Sequence, residues 1–237
     1  MLESSRRIVP AAVFAALFLL LGSVQPEPGA AQGTRMLRSP TVSATHIAFV
    51  NADDIWVVGR EGGDARRLTS GMGAETSPHF SPDGRWIAFT GQYEGNTDVY
   101  VVPSDGGEPR RLTWHPGADV STGWTPDGGS VVFVSGREGY PTATTKFFTV
   151  SVNGGLPEAL PIPRATNGHL SPDGQLIAYQ EVGFWDPEWR NYRGGQAQPI
   201  SVVSLETYER ETPPWEGERQ MWPVWLDGVV YYISERD

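Results

Sequence analysis

Two arginines and four aromatic residues lie close together in one irregular stretch of the sequence, Phe184–Gly195. A guanidinium group can hold a carboxylate through two parallel hydrogen bonds, and neighbouring aromatic rings offer apolar contact to the rest of a ligand. The pattern indicates a candidate site for a carboxylate-bearing ligand. The alternative is a loop packed on itself, with the arginines paired to Asp186 and Glu188. The candidate ligand-binding residues are Trp189, Arg190, Tyr192 and Arg193.

No pattern in the sequence marks a nucleophile, a metal site or a cofactor site. The chain contains no Gly-x-Ser-x-Gly, no His-Glu-x-x-His and no phosphate-binding glycine loop. Its four histidines lack ligand spacing, and the absence of cysteine excludes thiolate chemistry. His79 and His169 each stand two residues before a Ser-Pro-Asp-Gly sequence, which predicts a structural role near the start of an inner strand. We therefore predict no catalytic residue, no metal and no cofactor in this chain.

Three aspartates resemble a carboxylate set but recur inside the same tripeptide, Pro-Asp-Gly. The prolines of these tripeptides, Pro82, Pro126 and Pro172, are separated by 44 and 46 residues. Proline fixes φ, aspartate accepts backbone N–H bonds, and glycine occupies the left-handed position of a tight turn. We interpret these positions as turn formers rather than acids of a catalytic site. The predicted structural turn residues are Asp83, Gly84, Asp127, Gly128, Asp173 and Gly174.

A repeat of this period predicts the elements that position all of these residues. Four short strands per repeat of about 40 to 50 residues are typical of one β-propeller blade. Apolar runs such as Val99–Val102 suit strands covered on both faces by neighbouring blades. The sequence therefore predicts an all-β propeller fragment of about four and a half four-stranded blades within residues 32–237. The predicted blades are 39–69, 77–113, 121–160, 167–212 and an incomplete 221–237.

Composition narrows the classes of partner. The formal net charge is −10 and the isoelectric point is about 4.9, so the surface repels nucleic acid and anionic membranes. With 28 glycines and 20 prolines, the chain suits short strands and tight turns better than helices. We expect neither a nucleic-acid partner nor stable membrane insertion.

The first residues have the pattern of a secretory signal peptide, which we predict over residues 1–31. A pair of arginines precedes the apolar run Val13–Leu21, and the small residues Gly29 and Ala31 precede a plausible cleavage site at Gln32. We expect an exported protein, periplasmic or extracellular. The alternative is an uncleaved membrane anchor, although the uncharged stretch is at the short limit for spanning a bilayer.

Two segments resemble the N-terminal region of the tricorn protease family. The string Ile47–Trp56, with two aspartates before Ile-Trp, is similar to one near the start of that region. An aromatic insertion of the family, Trp-x-x-Tyr-Arg-Gly-Gly, has its counterpart within residues 189–195. The Arg-Leu-Thr and Phe-Ser-Pro-Asp-Gly strings fit TolB-like propellers equally well, whereas the insertion favours the tricorn family. The resemblance covers residues 35–237.

The resemblance implies a six-bladed propeller at the start of a longer serine peptidase that trims oligopeptides. A second propeller, a PDZ-like domain and the catalytic domains would follow, and the full-length protein would form homo-oligomers. In the family's archetype an arginine pair in the loop after the second blade anchors peptide carboxylates. Here the irregular segment Trp114–Trp124 lacks arginine, which argues against that anchor.

The predicted function is thus a non-catalytic module that acts as scaffold and peptide passage. Its expected partners are the C-terminal domains of the same protein and oligopeptide substrates. The alternatives are a TolB-like protein-binding scaffold of the cell envelope without peptidase activity, or a propeller attached to another exported hydrolase.

Overall fold

A computed structural model describes residues 36–139, 144–183 and 197–235. Every regular element in these residues is a β-strand, as the repeat predicts. Four sheets have four strands each, and a fifth consists of a hairpin. The described residues include no helix with the length and apolarity needed to cross a bilayer.

The strands follow one another along the chain in a regular order. The first two sheets comprise β1 (Arg38–Val42), β2 (His46–Asn51), β3 (Asp54–Gly59), β4 (Arg66–Arg67), β5 (Glu75–Phe80), β6 (Trp86–Tyr93), β7 (Asn96–Pro103) and β8 (Arg110–Arg111). The third and fourth sheets comprise β9 (Asp119–Trp124), β10 (Ser130–Ser135), β11 (Lys146–Ser151), β12 (Glu158–Ala159), β13 (Asn167–Leu170), β14 (Leu176–Gln180), β15 (Ser201–Ser204) and β16 (Arg210–Glu211). The hairpin is β17 (Gln220–Leu226) and β18 (Val229–Ser234).

Each four-stranded sheet is one contiguous antiparallel meander. The first strand of each sheet pairs with the second only, and the first strands β1, β5, β9, β13 and β17 contact one another in that order. These five inner strands therefore surround a common axis. This arrangement is a β-propeller, in agreement with the all-β prediction.

Apolar residues hold neighbouring sheets together face to face. In β7, Val99 and Val101 pack towards the third sheet, whereas Tyr100 and Val102 pack towards the first. All four are at most 6% exposed, so the run is covered on both sides as expected. A third cluster around Phe147 joins the third and fourth sheets in the same way.

Buried polar side chains add a second connection between sheets. The carboxylate of Glu75, at the start of β5, accepts a hydrogen bond from the amide of Ile55 in the first sheet at 3.1 Å. Gln220 at the start of β17 accepts one from the amide of Ile200 at 3.2 Å. Both side chains are at most 1% exposed. At two places in the ring, a side chain of an inner strand thus accepts a bond from the preceding sheet, from the third strand itself at Ile55 and from the residue just before it at Ile200.

Two of the inner strands begin earlier than the repeat suggests. β5 starts at Glu75 and β9 at Asp119, two residues before the predicted blade starts, because Glu75 still pairs with Gly91 and Asp119 with Ser135. Most of the segment expected to be irregular before Trp124 is therefore strand. The prediction that His79 and His169 lie near the starts of their strands is wrong, since His79 is the fifth of six residues in β5 and His169 the third of four in β13.

The candidate site in the central channel

The inner strands enclose a channel with two connected cavities. The turn-side cavity, about 630 Å³, lies where the Pro-Asp-Gly turns meet the channel. The loop-side cavity, about 400 Å³, lies towards the opposite end. The two cavities share Pro40, His79, Thr122, Asn167 and Trp222, one residue from each inner strand.

β-Bulges shape the wall at this shared level. The pairing register of β1, β5 and β17 shifts at Ser39, Ser77 and Trp222, and each of these residues has a φ between 48° and 52°. A proline follows each one, which restricts the backbone further and makes the left-handed conformation a strained one. A bulge bends its strand and redirects the side chains around it. The repeat pattern did not reveal these positions, although the x-Pro dipeptides in inner strands are a usable signal.

The Pro-Asp-Gly turns form the rim of the turn-side cavity. Pro82, Pro126 and Pro172 all line it. The turn glycines have φ values between 69° and 73°, where an alanine would be strained. A Cβ on Gly128 would lie 3.6 Å from Pro82, and one on Gly174 would lie 3.5 Å from Pro126. Successive turns therefore touch around the rim.

The turn aspartates stabilise these loops by accepting hydrogen bonds from residues of the same turn. The hydroxyl of Ser81 donates to Asp83 at 2.6 Å, and the amide of Arg85 donates to the same oxygen at 3.0 Å. Asp127 and Asp173 accept equivalent bonds from Thr125 and Ser171 and from the backbone. These side-chain bonds, followed by the backbone bonds, lower the pKa of all three aspartates below the ordinary value. Each carboxylate is thus engaged in its own turn.

Apolar side chains form the wall of the turn-side cavity below this rim. Phe80, Trp124 and Leu170 occupy equivalent positions at the ends of three inner strands and all line the cavity. Trp124 and Leu170 are only 8% and 7% exposed because most of each side chain is packed into the core between sheets. Packing in the core therefore fixes the positions of the side chains that form this wall.

Two histidines line the same cavity. Burial lowers the pKa of His79 to about 4, with a smaller contribution from His169 and an opposing one from a backbone hydrogen bond at Ser121. Burial likewise lowers the pKa of His169. The Nδ1 of His169 lies 2.9 Å from the carbonyl oxygen of Leu170, so Nδ1 carries the proton and Nε2 is an acceptor. Because its pKa is about 4, His79 is neutral at neutral pH.

The described residues that line the channel carry no formal charge. Among the described residues, no Asp, Glu, Lys or Arg lines either cavity, although 19% of the chain is charged. Nor do the described ranges contain a group of three or more His, Asp or Glu side chains that could hold a metal ion. The channel offers neutral polar groups, apolar walls and two imidazoles.

One lining hydroxyl is unusual. Ser121 lines the loop-side cavity, is 2% exposed, and its Oγ has no hydrogen-bond partner within the described structure. Its backbone amide is held by the hydroxyl of Thr90 at 2.9 Å. A buried hydroxyl without a partner costs free energy, so Ser121 is a candidate contact for a group that enters the channel.

The sequence profile of the tricorn protease N-terminal beta propeller domain matches residues 34–237. The chain belongs to this family. A tricorn protease homolog of Saccharolobus solfataricus is 29% identical over 208 residues, which are 84% of this chain and 18% of the relative. The chain thus spans about a fifth of the length of that relative.

Solved structures share the fold. The crystal structure of the tricorn protease superposes with a TM-score of 0.69 at 24% identity, covering 84% of this chain and 21% of the other. TolB from Acinetobacter baumannii superposes with a TM-score of 0.62 at 23% identity, covering 84% and 51%. At these identities the likeness concerns the propeller fold.

The predicted ligand-binding residues Trp189, Arg190, Tyr192 and Arg193 lie outside the described residues, in the gap at 184–196. The predicted signal peptide also lies outside them. The channel side chains were not predicted as a site. The sequence pattern marks His79 and His169 only as equivalent positions of the repeat. That the two side chains line one cavity from different blades follows from the ring geometry.

Proposed function

We propose that this chain is the non-catalytic N-terminal propeller module of an exported tricorn-type serine peptidase that degrades oligopeptides. Its channel acts as a passage for peptides, and its sheets act as a scaffold for the domains that follow. The observation that carries the proposal is the channel formed by the inner strands of a tricorn-family propeller, whose described lining residues carry no formal charge.

The dimensions of the channel support a peptide occupant. Its cavities, about 400 and 630 Å³, lie in the range of roughly 300 to 1,000 Å³ that small ligands occupy. Extended peptides need acceptors for their N–H groups and room for alternate side chains. Hydroxyl, amide and imidazole groups along the channel supply such acceptors beside apolar walls.

Catalysis belongs to another part of such a peptidase, and the chain by itself is expected to be inert. Incubation with fluorogenic short peptides should give background hydrolysis, and a serine-directed covalent probe should not label the chain. Labelling of a defined serine in the purified chain would contradict the proposal.

A TolB-like scaffold is the second candidate, because the propeller superposes on TolB with a TM-score of 0.62. In that case the same channel would receive a segment of a partner protein, with no peptidase attached. The coding sequence after Asp237 distinguishes the two. The peptidase proposal expects further propeller, PDZ-like and catalytic domains, whereas the scaffold proposal expects a stop once the propeller is complete.

Export is part of the proposal and rests on the N-terminal pattern. Mass spectrometry of protein recovered from the periplasm or medium should find a new N-terminus close to Gln32. Intact Met1 on protein in the cytoplasm would contradict the export proposal and leave the channel proposal unaffected.

A further inference from the structure

The lack of formal charge among the described lining residues has a consequence for the peptides that can bind in the channel. A charged side chain that enters loses water, and none of the described lining residues supplies a formal counter-charge. Transferring an ion into such surroundings without a partner is strongly unfavourable. Neutral segments avoid this penalty, so the described part of the lining favours neutral over charged segments.

The turn-side cavity also has a preformed apolar wall. The indole Nε1 of Trp124 donates to the carbonyl oxygen of His79 at 2.9 Å, which fixes the ring across the boundary between the second and third sheets. Leu170 is held in the core between the third and fourth sheets. A wall that is rigid before binding loses little conformational entropy when a ligand arrives.

Polar groups in the same cavity suit the backbone of an uncharged peptide. The Nε2 of His169 is an acceptor because Nδ1 is committed to the carbonyl of Leu170. Asn167, at the level shared by both cavities, offers an amide that can donate and accept. Apolar contact and a few neutral hydrogen bonds therefore converge in one cavity of about 630 Å³.

We propose that the turn-side cavity is a binding subsite for one bulky apolar side chain, aliphatic or aromatic, within an uncharged peptide segment. The side chain contacts Phe80, Trp124 and Leu170, and the neighbouring peptide groups bond to His169 and Asn167. The inference rests on the proposed function, since it names the class of peptide that the channel binds.

Three labelled peptides of equal length test the subsite. All carry a central phenylalanine and blocked termini, and its neighbours are serines in the first, glutamates in the second and lysines in the third. Fluorescence anisotropy with the 237-residue chain at low ionic strength gives their affinities. The serine peptide should bind at least about tenfold more tightly than either charged peptide, and replacement of its phenylalanine by glycine should reduce affinity about tenfold or more.

A charge placed in the channel should reverse part of this preference. Asn167→Asp introduces a carboxylate with almost no change in size, and should tighten the lysine peptide and weaken the glutamate peptide several-fold. Asn153→Asp is the matched control, because Asn153 is exposed in a turn away from both cavities. It should change the affinities little. Ser77→Asp places the same charge in the loop-side cavity if Asn167→Asp fails to fold, since aspartate tolerates the positive φ at that position.

Equal affinity for the three peptides would overturn the subsite. If Asn167→Asp still altered their binding, the channel would remain a peptide passage without the proposed selectivity. If the charge at position 167 acted no differently from that at 153, the bound peptide would lie outside the channel. That result would overturn the subsite and the proposed function together.

Discussion

The indole nitrogen of Trp124, in the inner strand of the third sheet, donates a hydrogen bond to the backbone carbonyl of His79 in the inner strand of the second sheet, at 2.9 Å. The bond joins two blades at the wall of the turn-side cavity. Through this bond, the apolar ring of Trp124 is attached to the strand that carries His79, the histidine whose pKa burial lowers to about 4.

Trp124→Phe should lower the free energy of unfolding by about 1–2 kcal/mol, because the carbonyl of His79 loses its donor and the smaller ring packs less fully. Urea denaturation measures the change. Trp56→Phe is the control: its indole donates to Asn51 at 3.1 Å within one hairpin and is only half-buried, so its loss should cost about 1 kcal/mol or less. A smaller loss at position 124 than at 56 would show that the bond between blades contributes little.

Glu75 should tolerate glutamine far better than alanine. Its carboxylate accepts from Ile55, Thr69 and Tyr93 while fully buried, so Glu75→Ala leaves several buried donors unpaired and should cost about 2–4 kcal/mol. Glu75→Gln keeps an acceptor of the same length, as Gln220 shows by bonding the equivalent amide.

Urea denaturation of both variants gives the comparison, with Glu61→Ala at an exposed position as the control. Equal losses for alanine and glutamine at position 75 would mean that the negative charge itself, rather than the acceptor, is required.

Stability should fall between about pH 6.5 and pH 4 because of the channel histidines. The folded-state pKa of His79 is lowered to about 4 from 6.5, and that of His169 is also lowered. The unfolded state therefore binds protons first as pH falls, and the contribution of neutral imidazole is complete above about pH 6.5. The turn aspartates have lowered pKa values, so their contribution is lost only below the ordinary aspartate pKa of 3.8.

His79→Gln and His169→Gln should each flatten the stability profile in that window, measured by urea denaturation at a series of pH values. His46→Gln, at an exposed position, is the control and should keep the slope. An unchanged slope in the double variant would assign the pH dependence to other groups.

One face of the fifth sheet should drive self-association of this chain. Val224 pairs with Tyr231 and Leu226 with Val229, and these side chains are 48% to 57% exposed on the same face of the hairpin. Contiguous exposed apolar surface of this kind favours association. Light scattering after size-exclusion chromatography should show oligomers that Tyr231→Lys reduces, because burying a lysine in the contact is unfavourable.

Leu156→Lys is the control for this effect, since Leu156 is 92% exposed and lies in the segment before β12, outside the hairpin. It should leave the association unchanged. A strictly monomeric wild-type chain at high concentration would contradict the prediction.

The part of the fold that depends on neighbouring residues could be predicted from the sequence. Pro-Asp-Gly sets the turn at Asp83 through bonds to Ser81 and Arg85, which lie within two residues of it. The apolar run Val99–Val102 likewise reveals a strand between two sheets, since both of its faces must be covered.

Features that depend on contacts between blades could not be predicted. Glu75 contacts Ile55, 20 positions away, and Trp124 contacts the carbonyl of His79, 45 positions away. Such pairs are set by the rotation from one blade to the next, which leaves no local pattern. The channel is formed in the same way, by residues that each inner strand contributes, so the uncharged character of its described lining was not visible in the sequence.

Protection of an introduced thiol tests most directly the central claim that the channel holds peptides. The chain has no cysteine, so Asn167→Cys places a single thiol in the channel and Asn153→Cys places one outside it. The rate of maleimide modification is measured for each with and without an excess of the uncharged phenylalanine peptide. The account predicts that the peptide slows modification at position 167 several-fold and leaves position 153 unchanged. Equal rates at position 167 with and without saturating peptide would contradict it.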